Sequence, residues 1–190
     1  MSNNFTPEES LAVIHNAIGQ TQQNIKDDSI HFLIWGWATL FASLSHYVLL
    51  TTVHYQHPYI AWIVCMPLAG IIAGILGYKA AKQAKVKTHI DRILGYLWGG
   101  FGVYLLLILG FMPIIGFDKT YPLIIGLYGL GTFIMGGIIQ FNALKIGAVI
   151  CWLIAVLSFT LSFPNQLLCV AAAIIVAYLI PGYLLKFSEK

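Results

Sequence analysis

His46 stands in an otherwise uncharged run from Phe32 to Leu50, FLIWGWATLFASLSHYVLL. Imidazole is the side chain that ordinarily gains or loses a proton near neutrality, so its place among oily neighbours raises a chemical question. Gly36, Thr39, Ser43 and His46 recur at helical spacing, which puts a small and polar stripe on one face. A neutral imidazole needs one donor and one acceptor, and Ser43, Tyr47, Tyr104 and Tyr128 are the expected neighbours. Two roles follow. His46 is a hydrogen-bonded packing residue, or it lines a cavity for a small solute together with Thr39, Ser43 and Tyr104. His54 and His57 would complete a three-imidazole metal site with His46, but the end of the span intervenes and no metal is expected.

The other chemically notable stretch is YKAAKQAKVKTHIDR, residues 78 to 92, which carries Lys79, Lys82, Lys85, Lys87 and Arg92 against the single acid Asp91. Such a run beside a membrane reads as an orientation signal and a contact for anionic lipid or a partner. Cys65, Cys151 and Cys169 form no CxxC pair and read as small packing residues. No GxSxG, HExxH or intramembrane carboxylate pair occurs in the sequence, and no second intramembrane histidine for a haem exists outside the first span. The expectation is a protein that is not an enzyme, with no cofactor and no nucleic-acid partner. The expected role is that of a scaffold, sensor or accessory subunit, or alternatively of a small-solute carrier or channel with a cavity near His46. Proton coupling would rest on His46 alone, because transporters commonly use buried carboxylates.

The elements that must hold these residues follow from composition. The chain has 190 residues, 59% of them hydrophobic and 9% charged, whereas a soluble domain carries about 25% charged residues. Six stretches are long enough to cross a bilayer: Ser29 to Val53, Tyr59 to Tyr78, Leu94 to Ile115, Tyr121 to Phe141, Leu144 to Phe163 and Gln166 to Phe187. Runs without polar alternation exclude a barrel, so each is read as a helix. The predicted class is all-α: a polytopic membrane protein with six transmembrane helices arranged as three hairpins, preceded by an N-terminal cytoplasmic amphipathic helix. Residues 1–28 make that N-terminal segment, 29–187 the transmembrane domain, 79–93 its basic connection and 188–190 the tail.

Lys26, the five basic residues from Lys79 to Arg92, Lys145, Lys186 and Lys190 fall on one side of this arrangement, against Lys119 on the other. The lysine-rich side is therefore read as cytoplasmic, with both termini inside a bacterial inner membrane. Within residues 5–28, Thr6, Pro7 and Glu9 suit a helix start, and Leu11, Ile14, Ile18 and Ile25 recur at helical spacing. Glu8, Glu9, Asp27 and Asp28 against Lys26 make this helix acidic, so it is expected to dock on the basic connection or on a cytoplasmic protein partner. Membrane lipids are the other expected partner.

Each span carries small residues on one face: Gly70, Gly74 and Gly77 in the second, Gly95, Gly99 and Gly102 in the third, Gly126, Gly129, Gly136 and Gln140 in the fourth. Ala148, Cys151, Ala155, Ser158 and Ser162 do so in the fifth, and Cys169, Ala173 and Ala177 in the sixth. Six such faces predict one compact bundle. Pro67, Pro113 and Pro181 mark kinks. Trp35, Trp37, Trp62, Tyr59 and Tyr121 are assigned to the interfacial belts. With TPEESL, WGW, MPLAGIIAGI, VKTHIDRILGYLWGGFG, LYGLGTFIMGGIIQF and IPGYLL, the chain resembles an uncharacterised family of six-span bacterial inner-membrane proteins over nearly its whole length. In its three-hairpin plan alone it is similar to the HdeD-like acid-resistance membrane proteins. The resemblance implies a fold and a location, and it brings no catalytic or binding residues.

Overall fold

The computed structural model describes the backbone of residues 7–83 and 89–187, and the side chains of residues 29–82 and 90–187. All the regular structure there is helical: α1 (Pro7–Thr51), α2 (Ile60–Gln83), α3 (His89–Ile115), α4 (Phe117–Ile138), α5 (Asn142–Ser158), α6 (Phe163–Ile174) and α7 (Ile180–Phe187), the last two joined by a π-helical turn, Ile175–Leu179. Five helical segments are long and apolar enough to cross a membrane, and α5, with 17 residues, is a shorter apolar helix. This is the architecture of a multi-pass membrane protein.

Two boundaries differ from the sequence reading. The N-terminal helix and the first span are one rod, α1, of 45 residues, which is about 68 Å at 1.5 Å per residue, roughly twice a hydrocarbon core. Its expected cap at Thr6, the amphipathic face of residues 5–28 and their docking on the basic connection lie outside the described residues. The stretch FDKT, read as a connection, is instead the first turn of α4. Gly116 alone separates α3 from α4, and its φ of 97° is a backbone conformation that costs glycine nothing. Thr120 Oγ1 donates to the Gly116 carbonyl (2.8 Å), and Asp118 lies in the first turn, where its charge opposes the helix dipole.

Packing divides the helices into core and outriggers. α4 and α5 pack on each other and on the α6–α7 rod, α1 packs on that same rod, α2 packs on α1 and α3 on α4. Accordingly the apolar windows of α4 and the last rod are each 61% buried, against 11% for α2 and 6% for α3. α2 meets α1 through a narrow stripe, Trp62, Met66, Ala69 and Ala73, of which the two alanines are buried. α3 turns Leu94, Trp98, Phe101, Leu105, Ile108 and Met112 inward. Its Gly95, Gly99 and Gly102 face open space, so the expected small-residue seam on the third span is not a helix contact.

The core seams do use missing side chains. A Cβ on Gly136 would come within 2.8 Å of Leu144 Cβ, and one on Gly129 within 2.6 Å of the Trp152 ring. Trp152 Nε1 donates to the Gly126 carbonyl (3.1 Å) and Cys151 Sγ to the Ile125 carbonyl (3.3 Å), which clamps α5 on α4. On the other side of α5, a Cβ on Gly147 would strike the backbone carbonyl of Val176. That carbonyl belongs to the π turn, where the Ile180 N–H reaches Ile175 O. Pro181, which has no N–H to give, follows at once, and a widened turn is a known answer to that loss. Gly147→Ala is expected to destabilise the protein by roughly 1–3 kcal/mol through overpacking against backbone, and Gly99→Ala to leave it unchanged. Thermal unfolding in mild detergent measures both; equal effects would contradict this division into core and outriggers.

Candidate functional site

The polar stripe of α1 is interior, as its spacing predicts: Thr39, Ser43 and His46 are 1%, 0% and 4% exposed. Ser43 Oγ donates to the Leu40 carbonyl (3.0 Å), and Thr39 meets the hydroxyl of Tyr128 on α4. His46 lies near the end of the bundle that bears the short connections. There Trp62 Nε1 of α2 donates to His46 Nδ1 (3.0 Å), and Tyr121 Oη of α4 lies 3.3 Å from the same nitrogen. An indole nitrogen can only donate, so Nδ1 holds the lone pair and the proton of the neutral ring is on Nε2. Phe163 of α6 closes the group edge-on, its ring centroid 5.8 Å from that of His46 and 5.6 Å from that of Tyr121. One imidazole thus joins four helices.

Tyr104 does not take part. It is 56% exposed on the outward face of α3, because the inward face of that helix is set by Phe101, Leu105 and Ile108. Trp62 and Tyr121, assigned from the sequence to the interfacial belts, fill the place instead. Trp62 belongs to the stripe that seats α2 on α1, and Tyr121 is 6% exposed. The position of Trp62, four residues before Met66 and seven before Ala69, is the signal that could have found it. His57 has a different partner, Tyr59 Oη at 3.1 Å from its Nδ1.

A second aromatic group occupies the lysine-bearing half. Phe32, Trp98, Phe101, Tyr128 and Tyr178 form a closed circuit, with successive centroids 6.0, 5.5, 5.7, 5.4 and 5.1 Å apart. Gly131 leaves room for the Phe101 and Trp98 rings. Tyr178 is contributed by the π turn, so the same distortion that answers Pro181 also sets this ring. Beyond that half, Lys79 and Lys82 are exposed on the end of α2 and Arg92 in the first turn of α3, while Lys85 and Lys87 lie outside the described residues.

Gln166, the first residue of the sixth span as read from sequence, is fully buried. Its Nε2 lies 2.6 Å from the Asp118 carbonyl, 3.2 Å from that of Ser158 and 3.2 Å from that of Leu161. Three acceptors around one atom fix which end of the amide is nitrogen. The side chain therefore ties the start of α4 and the end of α5 to α6. Thr132 Oγ1, Ser158 Oγ and Gln166 Oε1 are buried without a partner in hydrogen-bond geometry among the described residues; Thr132 faces the Tyr178 hydroxyl outside that geometry. The polar groups gathered here are neutral hydroxyls, indoles, an amide and one imidazole, a set that can bond neutral groups and exchange a single proton at His46.

Gln166→Leu is expected to cost roughly 1–3 kcal/mol, the price of orphaned acceptors. Gln166→Glu should cost more at neutral pH, because a carboxylate has no proton to give. Unfolding of both variants in detergent checks this ordering, and a Gln166→Glu protein as stable as the parent would contradict it. Compared with known family models, curated proteins and solved structures, the chain matches none.

Proposed function

We propose that the chain is a non-enzymatic protein of the bacterial inner membrane, a sensor or accessory subunit that meets a cytoplasmic protein through its N-terminal segment. The observation that carries this reading is α1 itself. A single unbroken helix holds the buried stripe with His46 near one end and extends well past the membrane at the other. A helix of that length can pass a displacement from one side to the other without a hinge.

Six spans agree with this reading. The 17 residues of α5 rise about 26 Å, within reach of a thin hydrocarbon core once the following turn is added. Neighbours in sequence also pack in pairs, α2 on α1, α3 on α4 and α5 against α6, as three hairpins require. The excess of basic residues at the end bearing Lys79, Lys82, Arg92 and Lys186 supports a cytoplasmic location for that end, and for both termini with it. α1 and α2 run antiparallel, with Trp62 against His46 and Gly77 beside His31. Continued along the two helices, that register brings the backbone of Asp27 and Asp28 level with Lys79 to Lys82, which supports a contact between acidic and basic segments.

The other reading, a small-solute carrier lined by Thr39, Ser43, His46 and Tyr104, is weaker. Tyr104 faces outward, and the other three are closed over by the protein's own helices. The full-length protein, isolated in mild detergent, is expected to retain a cytoplasmic protein that is lost when Glu8, Glu9, Asp27 and Asp28 are all replaced by Lys. A small molecule that copurifies reproducibly with both forms, in place of a protein, would overturn the proposal in favour of the carrier. Reporter fusions after Lys82 and at the C-terminus should both be cytoplasmic.

A further inference from the structure

We propose that a proton taken up by His46 exchanges its helix partner: Trp62 of α2 is released, Tyr121 of α4 is kept, and acid thereby loosens α2 from the bundle. The argument rests on donors and acceptors. Neutral His46 offers the Nδ1 lone pair to two groups, the Trp62 N–H at 3.0 Å and the Tyr121 hydroxyl at 3.3 Å. The added proton occupies that lone pair, and no other bond changes. Nδ1 then carries a hydrogen aimed at the Trp62 hydrogen, two donors face to face, and the indole has no acceptor to offer in return. A phenol has both. The Tyr121 hydroxyl turns and accepts, so the link from α1 to α4 survives while the link from α1 to α2 does not.

The surroundings allow that exchange. The side chains that meet the His46 ring come from α2 (Trp62), α4 (Tyr121) and α6 (Phe163), and on α1 Ser43 one turn away is engaged with Leu40 O. Of these only Tyr121 titrates, and a phenol keeps its proton throughout the range in which imidazole gains one. The charged residues at that end of α4, Asp118 and Lys119, are in its exposed first turn, with the Asp118 carboxylate beside Gly116. α2 is also the helix best placed to respond. It packs on α1, small alanines make the centre of that contact, and its Trp62 ring also lies against Tyr121 of α4, centroids 6.1 Å apart. Its other end carries Lys79 and Lys82, so a shift at Trp62 reaches the basic segment through one continuous helix.

The switch depends on α1, α2 and α4 spanning the membrane and not on any partner, so a failed partner capture leaves it standing. The test uses full-length protein labelled with fluorotryptophan in lipid nanodiscs, with the Trp62 fluorine resonance assigned by its loss in Trp62→Phe. Between about pH 8 and about pH 5 the Trp62 resonance should move, while that of Trp152 on α5 holds. Its indole N–H should exchange with solvent at least about tenfold faster at the acid end. His46→Asn keeps an acceptor near the position of Nδ1 and cannot take up a proton, so it should hold Trp62 at its alkaline position throughout. Should the asparagine variant not fold, His46→Gln, whose amide falls nearer the position of Nε2 but likewise takes up no proton, should show a Trp62 resonance that does not move with pH. A Trp62 resonance that stays put down to the acid limit, or that moves equally in the asparagine or glutamine variant, overturns the proposal.

Discussion

Two helices surrounded by lipid gain no hydrophobic free energy by touching, because the acyl chains they displace are as apolar as they are. What they gain is dispersion, which falls off over a fraction of an ångström, together with any polar bond that hydrocarbon would otherwise leave open. This rule sorts the molecule. Where a side chain is missing and a neighbour enters the space, as at Gly129 under the Trp152 ring or Gly147 against Val176, the helices belong to the core. Where the glycines look onto nothing, as on α3, the helix is held by a line of large side chains on its other face and leaves most of its surface to lipid.

The same rule explains the character of the buried polar groups. Charges inside hydrocarbon are costly, and the interior accordingly uses hydroxyls, indoles, an amide and an imidazole. These are not scattered. Gln166 and His46 both sit near the end with the short connections, one tying α4, α5 and α6 together and the other joining α1, α2, α4 and α6. The opposite half is fastened by a circuit of rings, from Phe32 round to Tyr178, and by the Trp37 N–H donated to the Tyr183 hydroxyl (3.2 Å). The imidazole and the amide thus gather at one end of the bundle, and the larger share of ring packing at the other.

Much of this was legible in the sequence, and the failures have physical causes. The α1 stripe ending in His46, and the buried faces of α5 and α6, follow from periodicity because small and polar groups have reason to leave lipid. Periodicity cannot say whether a small face meets a helix or a lipid tail, which is why Gly95, Gly99 and Gly102 misled. An aromatic residue near the end of a span has the same composition signal whether it lies in the headgroup belt or turns inward, so Trp62 and Tyr121 were placed outside. Asp118 and Lys119 look like connection residues because they are polar, yet they begin a helix, and the burial of Gln166 at the start of its span comes from bonds to carbonyls that spacing does not reveal. The site was half visible: the imidazole announced itself, and its partners did not.

The π turn from Ile175 to Leu179 amounts to one residue more than ordinary winding would place in that stretch. Since each residue of a helix advances the winding by about 100°, the surplus residue sets which faces of α7 look inward, namely those of Pro181, Gly182 and Leu185. Removing a single residue from this turn would leave the chain hydrophobic and helical throughout, yet spin its last two turns like a key in the wrong notch. Tyr183 and Lys186 would then point to quarters of the membrane they do not now address. Length in this segment is therefore constrained more tightly than composition.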